Sequence, residues 1–298
     1  MTRNEELAEL IARYADKDGV HVTSVPRLSV VRISKPTDPM HVVHKAAICI
    51  IAQGRKQVIL GQEIFHYGPS QHLLVSVDLP VIGQVTHASE AEPYLCMKLE
   101  LDLDLAAEMM LNSAPPPPAE TGLGIAINQT TPELLDAAIR LLKLHETPED
   151  AAELAPLIER EIVYRLLKSD RAGCIRRMLA PHNHHRHVGR AITWIKENYT
   201  RSFSIEEVAS LSGMSASSLH QHFREATAMS PLQYQKQLRL QEARRLILSK
   251  ALDAATAGHS VGYDSPSQFS REYKRLFGAP PQRDIDRLRI EPQRYAEA

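Results

Sequence analysis

The sequence predicts an α+β protein, with short β-strands in its N-terminal half and helices alone in its C-terminal part. Between residues 20 and 100, short apolar segments such as LSVVRI, AAICIIA and YLCMKLEL alternate with Gly, Pro, Asp and Ser turns. This pattern is typical of a small sandwich or barrel. From residue 188 onward, apolar residues recur three and four positions apart, which is the spacing of amphipathic helices. A chain of 298 residues can form two domains, and we expect these at 1–180 and 181–298.

The composition excludes several classes of protein. The chain is 43% hydrophobic and 24% charged, as in ordinary globular proteins. Its longest apolar run, residues 46–52, is too short to cross a membrane, and its charged N-terminus has no signal-peptide pattern. Three widely spaced cysteines cannot form a disulfide framework. We therefore expect a cytoplasmic protein with no membrane partner.

A spacer and two helices follow the strand region. Residues 54–71 predict a hairpin, and SAPPPPAE at 113–120 is a stiff polyproline-type spacer. One helix begins after Thr131, a candidate N-cap followed by proline. We expect the helices within 131–170 to form the surface of a homodimer. The second of them is expected to have one apolar face, made of Leu154, Leu157, Ile158, Ile162 and Leu166.

The segment after residue 203 has the pattern of a helix-turn-helix unit. Ser204 begins a capping box, S-I-E-E, that opens a short helix, and Gly213 supplies the sharp turn after it. The second helix is expected at 215–226, with Leu219 and Phe223 facing inward. The outward face of this helix is the candidate DNA-binding surface: Ala216, Ser217, His220, Gln221 and Arg224.

A second copy of this unit follows about 50 residues later. Gly258 and Gly262 repeat the small residue and the turn glycine of the first copy, which are also four residues apart. Phe269 and Tyr273 repeat the inward pair, and the second helix of this copy is expected at 265–277. Its outward face is Ser267, Gln268, Ser270, Arg271, Lys274 and Arg275.

One long helix is expected between the two units. Ser230 is a candidate N-cap followed by proline, and no helix breaker occurs before residue 249. About 18 residues at 1.5 Å per residue give roughly 27 Å, which suits two helices in successive major grooves about 34 Å apart. Residues 181–298 contain 17 Lys and Arg against 12 Asp and Glu, whereas the rest of the chain contains 18 against 24. A basic C-terminal part on an acidic remainder is typical of a nucleic-acid-binding domain joined to another domain. The spacing of two major grooves favours double-stranded DNA as its partner.

These motifs resemble those of the AraC/XylS-type transcription regulators. RLQEARRLIL at 239–248 and VGYDSPSQFSREYKRLFGAPP at 261–281 are similar to the C-terminal signature of that family. VPRLSVVRI, CIIAQGRKQVILG, LLVSVDLP and EPYLCMKLELD resemble the N-terminal domain of one subfamily. The resemblance implies a cupin-like β-barrel with flanking helices, then two helix-turn-helix motifs joined by a long helix. It also implies a sequence-specific regulator, not an enzyme and without cofactor, whose partners are promoter DNA, a small-molecule effector in the barrel, a second copy of the chain and, for an activator, RNA polymerase.

Two positions depart from the family pattern. Gly258 stands where alanine is usual, at a cost of about 1 kcal/mol in helix propensity. His220 and Gln221 stand where a more basic pair is common. We expect Arg271 and Lys274 to hold DNA more strongly, through base or phosphate contacts, and the first unit to carry more of the individual sequence preference.

Two arginines of the long helix are expected to be structural rather than to bind DNA. Arg239 and Arg244 lie where acids such as Glu242 or Glu272 can pair with them. An arginine held in this way presents few donors to a nucleic acid, so neither belongs to the candidate DNA-binding face.

A cupin-type metalloenzyme with a DNA-binding tail is one alternative function. His41, His44, His66 and His72 lie in the strand region, but they lack the usual metal-ligand spacing, so we expect no metal site. The histidines of PHNHHRHVGR at 181–190 have no cysteine or orienting acid nearby. We expect that segment to be a solvated linker.

A regulator that responds to thiol chemistry or electrophiles is a second alternative, and one that responds to no effector is a third. Cys174 lies between basic residues in RAGCIRRML, a setting that lowers the pKa of a thiol. Cys49 and Cys96 lie in apolar strand segments and are expected in the core.

Overall fold

The computed structural model describes residues 2–111, 122–168, 176, 184–250 and 252–290. The strands are β1 (Gly19–Val22), β2 (Leu28–Ile33), β3 (Met40–His44), β4 (Ala47–Gln53), β5 (Arg55–Leu60), β6 (Glu63–Tyr67), β7 (Gln71–Val75), β8 (Leu79–His87), β9 (Tyr94–Glu100) and β10 (Ile125–Gln129). The helices are α1 (Arg3–Tyr14), α2 (Leu103–Leu111), α3 (Pro132–Lys143), α4 (Pro148–Lys168), α5 (His184–Glu197), α6 (Ile205–Ser212), α7 (Ala216–Thr227), α8 (Pro231–Lys250), α9 (Ala254–Ser260), α10 (Pro266–Phe277) and α11 (Pro281–Ile290).

The strands form two antiparallel sheets. The larger has the order β1-β2-β9-β4-β7-β10 and the smaller the order β3-β8-β5-β6. The chain passes between the sheets at Gly54, whose φ of 80° lies in the left-handed region. A Cβ there would lie 2.7 Å from the His87 carbonyl oxygen. The predicted α+β class is confirmed. Within the described residues the two sheets do not close into the expected barrel. They form an open sandwich, because strands such as β4 and β5 are joined by the chain but belong to different hydrogen-bonded sheets.

The sandwich has a packed interior and a cover of helices. Side chains of both sheets meet in one apolar core, which includes Val31, Ile51, Val58 and Val85. Helices α1, α3 and α4 form a second core with the other face of the larger sheet. The predicted hairpin is β5–β6, which turns at Gly61.

Helix α1 was not among the expected elements, although a capping box marks its start. The Thr2 hydroxyl accepts a hydrogen bond from the Glu5 amide at 3.2 Å, and the Glu5 carboxylate accepts one from the Thr2 amide at 2.7 Å. Leu7, Leu10 and Ile11 are buried against the larger sheet. A capping box followed by apolar residues at helical spacing therefore predicts this helix.

Helix α4 corrects the predicted apolar face. Ile158, Ile162 and Leu166 are buried, together with two alanines one and two turns before them. Leu154 and Leu157 are instead 43% and 64% exposed. The predicted face was wider than the stripe that α3 can cover, so these two leucines lie on the outer side of the helix.

The C-terminal helices begin at the predicted caps. Ser215 and Ser230 each accept a hydrogen bond from the amide three residues on. Ser204 accepts from the Glu207 amide at 3.1 Å, but the Glu207 carboxylate pairs with Arg201 at 2.7 Å rather than with the cap. Only half of that capping box forms, because a guanidinium attracts the carboxylate more strongly than an amide does.

Helix α5 begins inside the segment expected to be a polar linker. Val188 and Ile195, two of the apolar residues that recur at helical spacing from residue 188 onward, are buried. His187 is not a solvated linker residue, since its Nδ1 atom bonds the Ser212 carbonyl in the turn of the first unit. His182, Cys174 and the spacer at 113–120 lie outside the described residues.

Candidate nucleic-acid interface

Helix α7 presents a polar face because its apolar residues turn inward. Leu219 and Phe223 are fully buried, and the ring of Phe223 meets that of Tyr234 on α8 edge to face at 5.5 Å. Gly213, at a φ of 74°, makes the turn from α6. The predicted outward residues are exposed, except that Ala216 is half-buried: Ala216, Ser217, His220, Gln221 and Arg224.

Helix α10 repeats this arrangement with a different pair of contacting residues. Phe269 and Tyr273 are buried, and Phe269 packs directly on Gly258 of α9. A Cβ on Gly258 would lie 2.9 Å from the ring. The first unit has Ala209 and Leu219 at the corresponding positions. The departure from alanine is therefore a change in volume that accommodates a larger aromatic ring.

The outward face of α10 is the more basic of the two. Ser267, Gln268, Arg271 and Lys274 are exposed, and Ser270 is half-buried. Among the described residues, Arg271 and Lys274 form no ion pair, nor does Arg224 of α7. These three cations remain available to an anionic partner, whereas the Gln221 amide donates to Glu225 at 3.0 Å within its own helix.

Arg239 of α8 joins the two units. Its guanidinium donates to the Tyr199 carbonyl at 2.6 Å, to the Thr200 carbonyl at 3.1 Å and to the Gly262 carbonyl at 2.9 Å. The first two carbonyls follow α5, and the third is in the turn of the second unit. Arg239 is structural, as expected, but the expected carboxylate partners are wrong. The backbone carbonyls of two tight turns occupy its donors.

Arg244 of α8 also has a partner that differs from the prediction. It forms a two-pronged ion pair with Asp284 of α11, at 2.8 and 2.9 Å, and both residues are buried. The Tyr273 hydroxyl donates to the same carboxylate at 2.8 Å. Glu242 pairs with Arg245 and Glu272 with Lys236. The buried triad therefore fixes α10 against α8 and α11.

Comparison with known families agrees with this geometry. Residues 24–174 match the model of the AraC-type transcriptional regulator N-terminus, and residues 208–287 match a helix-turn-helix domain. The first match alone covers half of the chain. The chain belongs to the AraC-type transcriptional regulators. The helix-turn-helix match includes both α7 and α10.

Two curated relatives each match about a third of this AraC-type regulator. The RCS-specific HTH-type transcriptional activator RclR of Escherichia coli is 32% identical over 105 residues, which are 35% of this chain and 37% of that protein. The activator RhaS of Pectobacterium carotovorum is 27% identical over 88 residues, 30% of this chain and 32% of that protein. The chain thus matches about a third of the length of these relatives.

A solved structure shares the fold of the regulator over most of its length. Apo ToxT of Vibrio cholerae superposes with a TM-score of 0.58 at 9% identity, over 87% of this chain and 96% of that chain. ToxT with a bound unsaturated fatty acid gives a TM-score of 0.57 at 10% identity. At such low identity the likeness concerns the fold alone.

In this AraC-type chain, the sandwich is docked on the first helix-turn-helix unit. The Tyr234 hydroxyl of α8 donates to the Asp78 carbonyl at 2.8 Å, and the Asp78 carboxylate pairs with Lys196 of α5. The Gly124 amide donates to the Ala226 carbonyl of α7 at 2.8 Å. One apolar core continues across this boundary, so the sandwich and α7 are packed directly against each other.

Two clefts lie where the smaller sheet meets α8. One has a volume of about 620 Å³, between β3 and the side of α8 that carries Leu238 and Leu248. The other has about 600 Å³ and lies between β8 and the side that carries Lys236. His41 lines both clefts and its ring meets that of Phe277 edge to face at 5.3 Å. Burial, followed by the charge of Arg244, lowers the pKa of His41 to about 4.

The histidines considered as metal ligands have other surroundings. His44 contacts Cys49, His72 lies 3.1 Å from the Thr130 hydroxyl, and His66 is exposed. In the part of the chain that the structure describes, no three His, Cys, Asp or Glu side chains converge on one point as metal ligands. No helix there is both long and apolar enough to cross a membrane.

Proposed function

We propose that this regulator binds a promoter through α7 and α10, which enter successive major grooves on one face of the DNA. The observation that carries the proposal is the pair of exposed polar helix faces whose units are joined by Arg239. Helix α8 has 20 residues, so its length is about 30 Å, close to one turn of B-DNA. We place the boundary between the sensing and DNA-binding domains near residue 181.

Helices α7 and α10 make different kinds of contact with the DNA in this proposal. Arg271 and Lys274 supply the stronger electrostatic contacts, since Arg can contact guanine or phosphate and Lys usually contacts phosphate. Ser267, Gln268 and Ser270 lie beside them on α10. On α7, Ser217, His220 and Gln221 supply hydrogen bonds that distinguish bases. Ala216 supplies an apolar contact, and Arg224 supplies a charged contact with a base or a phosphate.

Binding of DNA from the promoter next to its own gene tests this assignment. Arg271→Ala should weaken specific binding by about 1–3 kcal/mol if Arg271 contacts a base, and Lys274→Ala should weaken binding to all sequences and reduce the salt slope by about 1. Fluorescence anisotropy at several salt concentrations measures both effects. The control is Arg245→Ala, which removes an exposed arginine of α8 paired with Glu242. Equal affinities for all four proteins would refute the assignment.

We infer that the regulator forms a homodimer through the outer side of α4. Leu154, Leu157 and Tyr164 are exposed there at spacings of three and seven residues, the spacing of a helix–helix seam. Leu157→Glu should convert the dimer to monomer in sedimentation velocity experiments. Ala152→Glu, also on an exposed part of α4, should leave it dimeric. A wild-type monomer at all protein concentrations, or a dimer that tolerates Leu157→Glu, would contradict the inference.

A small-molecule effector is proposed to act from the N-terminal domain. The fold is shared with ToxT, for which a fatty-acid-bound structure exists, and the sandwich is bonded directly to α7 and α8. An effector shifts the population towards the DNA-competent arrangement only by its difference in affinity for the two arrangements. Footprinting with and without candidate metabolites tests whether an effector changes DNA binding.

The regulator is further proposed to act in the cytoplasm, not as an enzyme, and to contact RNA polymerase if it activates.

A further inference from the structure

Five polar side chains lie together in the aliphatic interior of the sandwich. We call them the thiol cluster: Cys49, Cys96, His44, Tyr67 and Tyr94. Each is at most 4% exposed. Cys49 is on β4 and Cys96 on β9, and Ile51, two residues after Cys49, pairs with Cys96. The two thiols are therefore diagonal neighbours on the same face of the larger sheet.

His44 is oriented as a base towards Cys49. Its Nδ1 atom lies 2.7 Å from the Lys45 carbonyl oxygen, which can only accept a hydrogen bond, so Nδ1 carries the proton. The other ring nitrogen, Nε2, then has a free lone pair, and it lies 3.5 Å from the Cys49 sulfur. Cys49, His44 and the Lys45 carbonyl thus correspond to a nucleophile, a base and the group that orients the base.

Cys96 makes Cys49 the more acidic of the two thiols. Contact with the Cys96 thiol, together with the His44 ring, holds the pKa of Cys49 well below its usual range despite burial. The same contact and burial raise the pKa of Cys96. Diagonal neighbours in a sheet are about 7–8 Å apart, beyond the usual Cα separation in a disulfide. The arrangement suits a reactive thiolate at Cys49 better than a Cys49–Cys96 disulfide.

The two tyrosines supply hydrogen-bond donors next to this sulfur. Neither the Tyr67 nor the Tyr94 hydroxyl meets hydrogen-bond geometry with any described residue, although both are buried, with Tyr67 beside Tyr94 and Tyr94 beside Cys96. Burial raises the pKa of each well above its usual value, so both remain protonated. Unpaired buried hydroxyls are costly and rare in protein interiors. Here they are placed to bind a negative oxygen that forms beside Cys49.

A cleft gives a small molecule a way towards the cluster. Its volume is about 280 Å³, and Tyr67 lines it together with Lys56, Arg55, His66 and Gln71. Lys56 is paired with Tyr67 across β5 and β6, so both side chains face the interior. The cleft has room for a compound of a few heavy atoms, and Tyr67 belongs both to its lining and to the thiol cluster.

We propose that Cys49 is a covalent sensing site for small α,β-unsaturated carbonyl compounds, with His44 as the base and Tyr67 and Tyr94 as oxyanion donors. The Cys49 proton moves to His44 Nε2, and the sulfur forms a bond to the β-carbon of the compound. The π-electron pair moves to the carbonyl oxygen, giving an enolate held by the tyrosine hydroxyls. The imidazolium then returns its proton to the α-carbon. The thioether contains every atom of both reactants.

Intact-mass spectrometry of the full chain with acrolein tests the chemistry, in a Cys174→Ala background that removes the third thiol. We expect one added acrolein, mapped to Cys49, at a rate above that of the same protein in urea. His44→Gln should slow the reaction roughly 100-fold, the lower range for loss of a general base. Tyr94→Phe should slow it while leaving the thermal midpoint unchanged or higher, since that hydroxyl is unpaired.

Several outcomes would overturn the proposal. These are a native protein that reacts no faster than the unfolded one, an adduct on Cys96, a Cys49–Cys96 disulfide, or a Tyr94→Phe variant that reacts at the wild-type rate. A merely structural tyrosine would give that last result.

The sensing role rests on the proposed control of DNA binding, and a separate measurement tests it. Anisotropy with promoter DNA should show a change in affinity on acrolein treatment that Cys49→Ala abolishes. An adduct without any change in affinity overturns the sensing role. Absence of DNA binding by the untreated protein refutes the proposed function instead, and the mass measurement still decides the chemistry of Cys49.

Discussion

The buried triad of Arg244, Asp284 and Tyr273 gives the sharpest stability prediction. Asp284→Ala removes both carboxylate oxygens that Arg244 contacts at 2.8 and 2.9 Å and leaves a guanidinium with 8% exposure. Breaking a buried pair in this way costs about 3–5 kcal/mol, because the remaining charge is uncompensated. Tyr273→Phe removes only one hydrogen bond to the same carboxylate and should cost about 1.5–3 kcal/mol.

Urea unfolding measures this series. The single tryptophan, Trp194, lies on α5, where it contacts Phe203 and Arg201 of the first unit. Its fluorescence therefore reports the first unit, while circular dichroism reports helices of both units. In Asp284→Ala we expect the dichroism midpoint to fall further than the fluorescence midpoint.

A double variant is the control for the charge argument. Arg244→Met with Asp284→Leu removes both charges and fills similar space, and such replacements are often neutral or stabilising. We expect it to be more stable than Asp284→Ala. If Asp284→Ala costs less than Tyr273→Phe, or if the double variant is the least stable of the three, the triad does not stabilise the second unit through its charges.

Three further predictions follow from the structure. Gly258→Ala should destabilise the second unit in thermal melts, because overpacking costs about 1–3 kcal/mol against a propensity gain of about 1 kcal/mol; adding Phe269→Leu, which copies the first unit, should restore stability. Arg239→Ala should weaken DNA binding although it alters no DNA-facing residue, because Arg239 connects the two helix-turn-helix units through backbone carbonyls. An unchanged affinity in anisotropy titrations would show that this connection does not matter for binding. Burial lowers the pKa of His72 to about 4, so the unfolded state binds the proton more readily and stability should fall as pH drops from about 6.5 to 4. His72→Gln should reduce that loss in urea titrations across this range, and the share due to His41, whose pKa is also lowered to about 4, should remain.

Local sequence signals were sufficient for the helices of the DNA-binding part. The inward pairs Leu219 with Phe223 and Phe269 with Tyr273 are buried as predicted, because a spacing of four residues puts both members on one face of a helix. The caps and the turn glycine Gly213 were equally predictable, since each depends on contacts within four residues.

Partners that are distant in the chain were not predictable. Arg244 was expected to pair with an acid such as Glu242 or Glu272, and its partner is Asp284, 40 residues away. On α4, periodicity grouped Leu157 with buried residues, although only packing against neighbouring helices decides how wide a face is covered.

The sequence by itself determined that two similar helical units present polar faces, because helix periodicity, caps and turns depend on near neighbours. Only the tertiary structure decided which groups from remote segments meet. Tyr234 reaches the Asp78 carbonyl across 156 residues, and strand register brings Cys49 beside Cys96 and His44. Such contacts depend on how sheets and helices pack over long separations in the chain, and the chemistry of the sandwich interior exists only after that packing is complete.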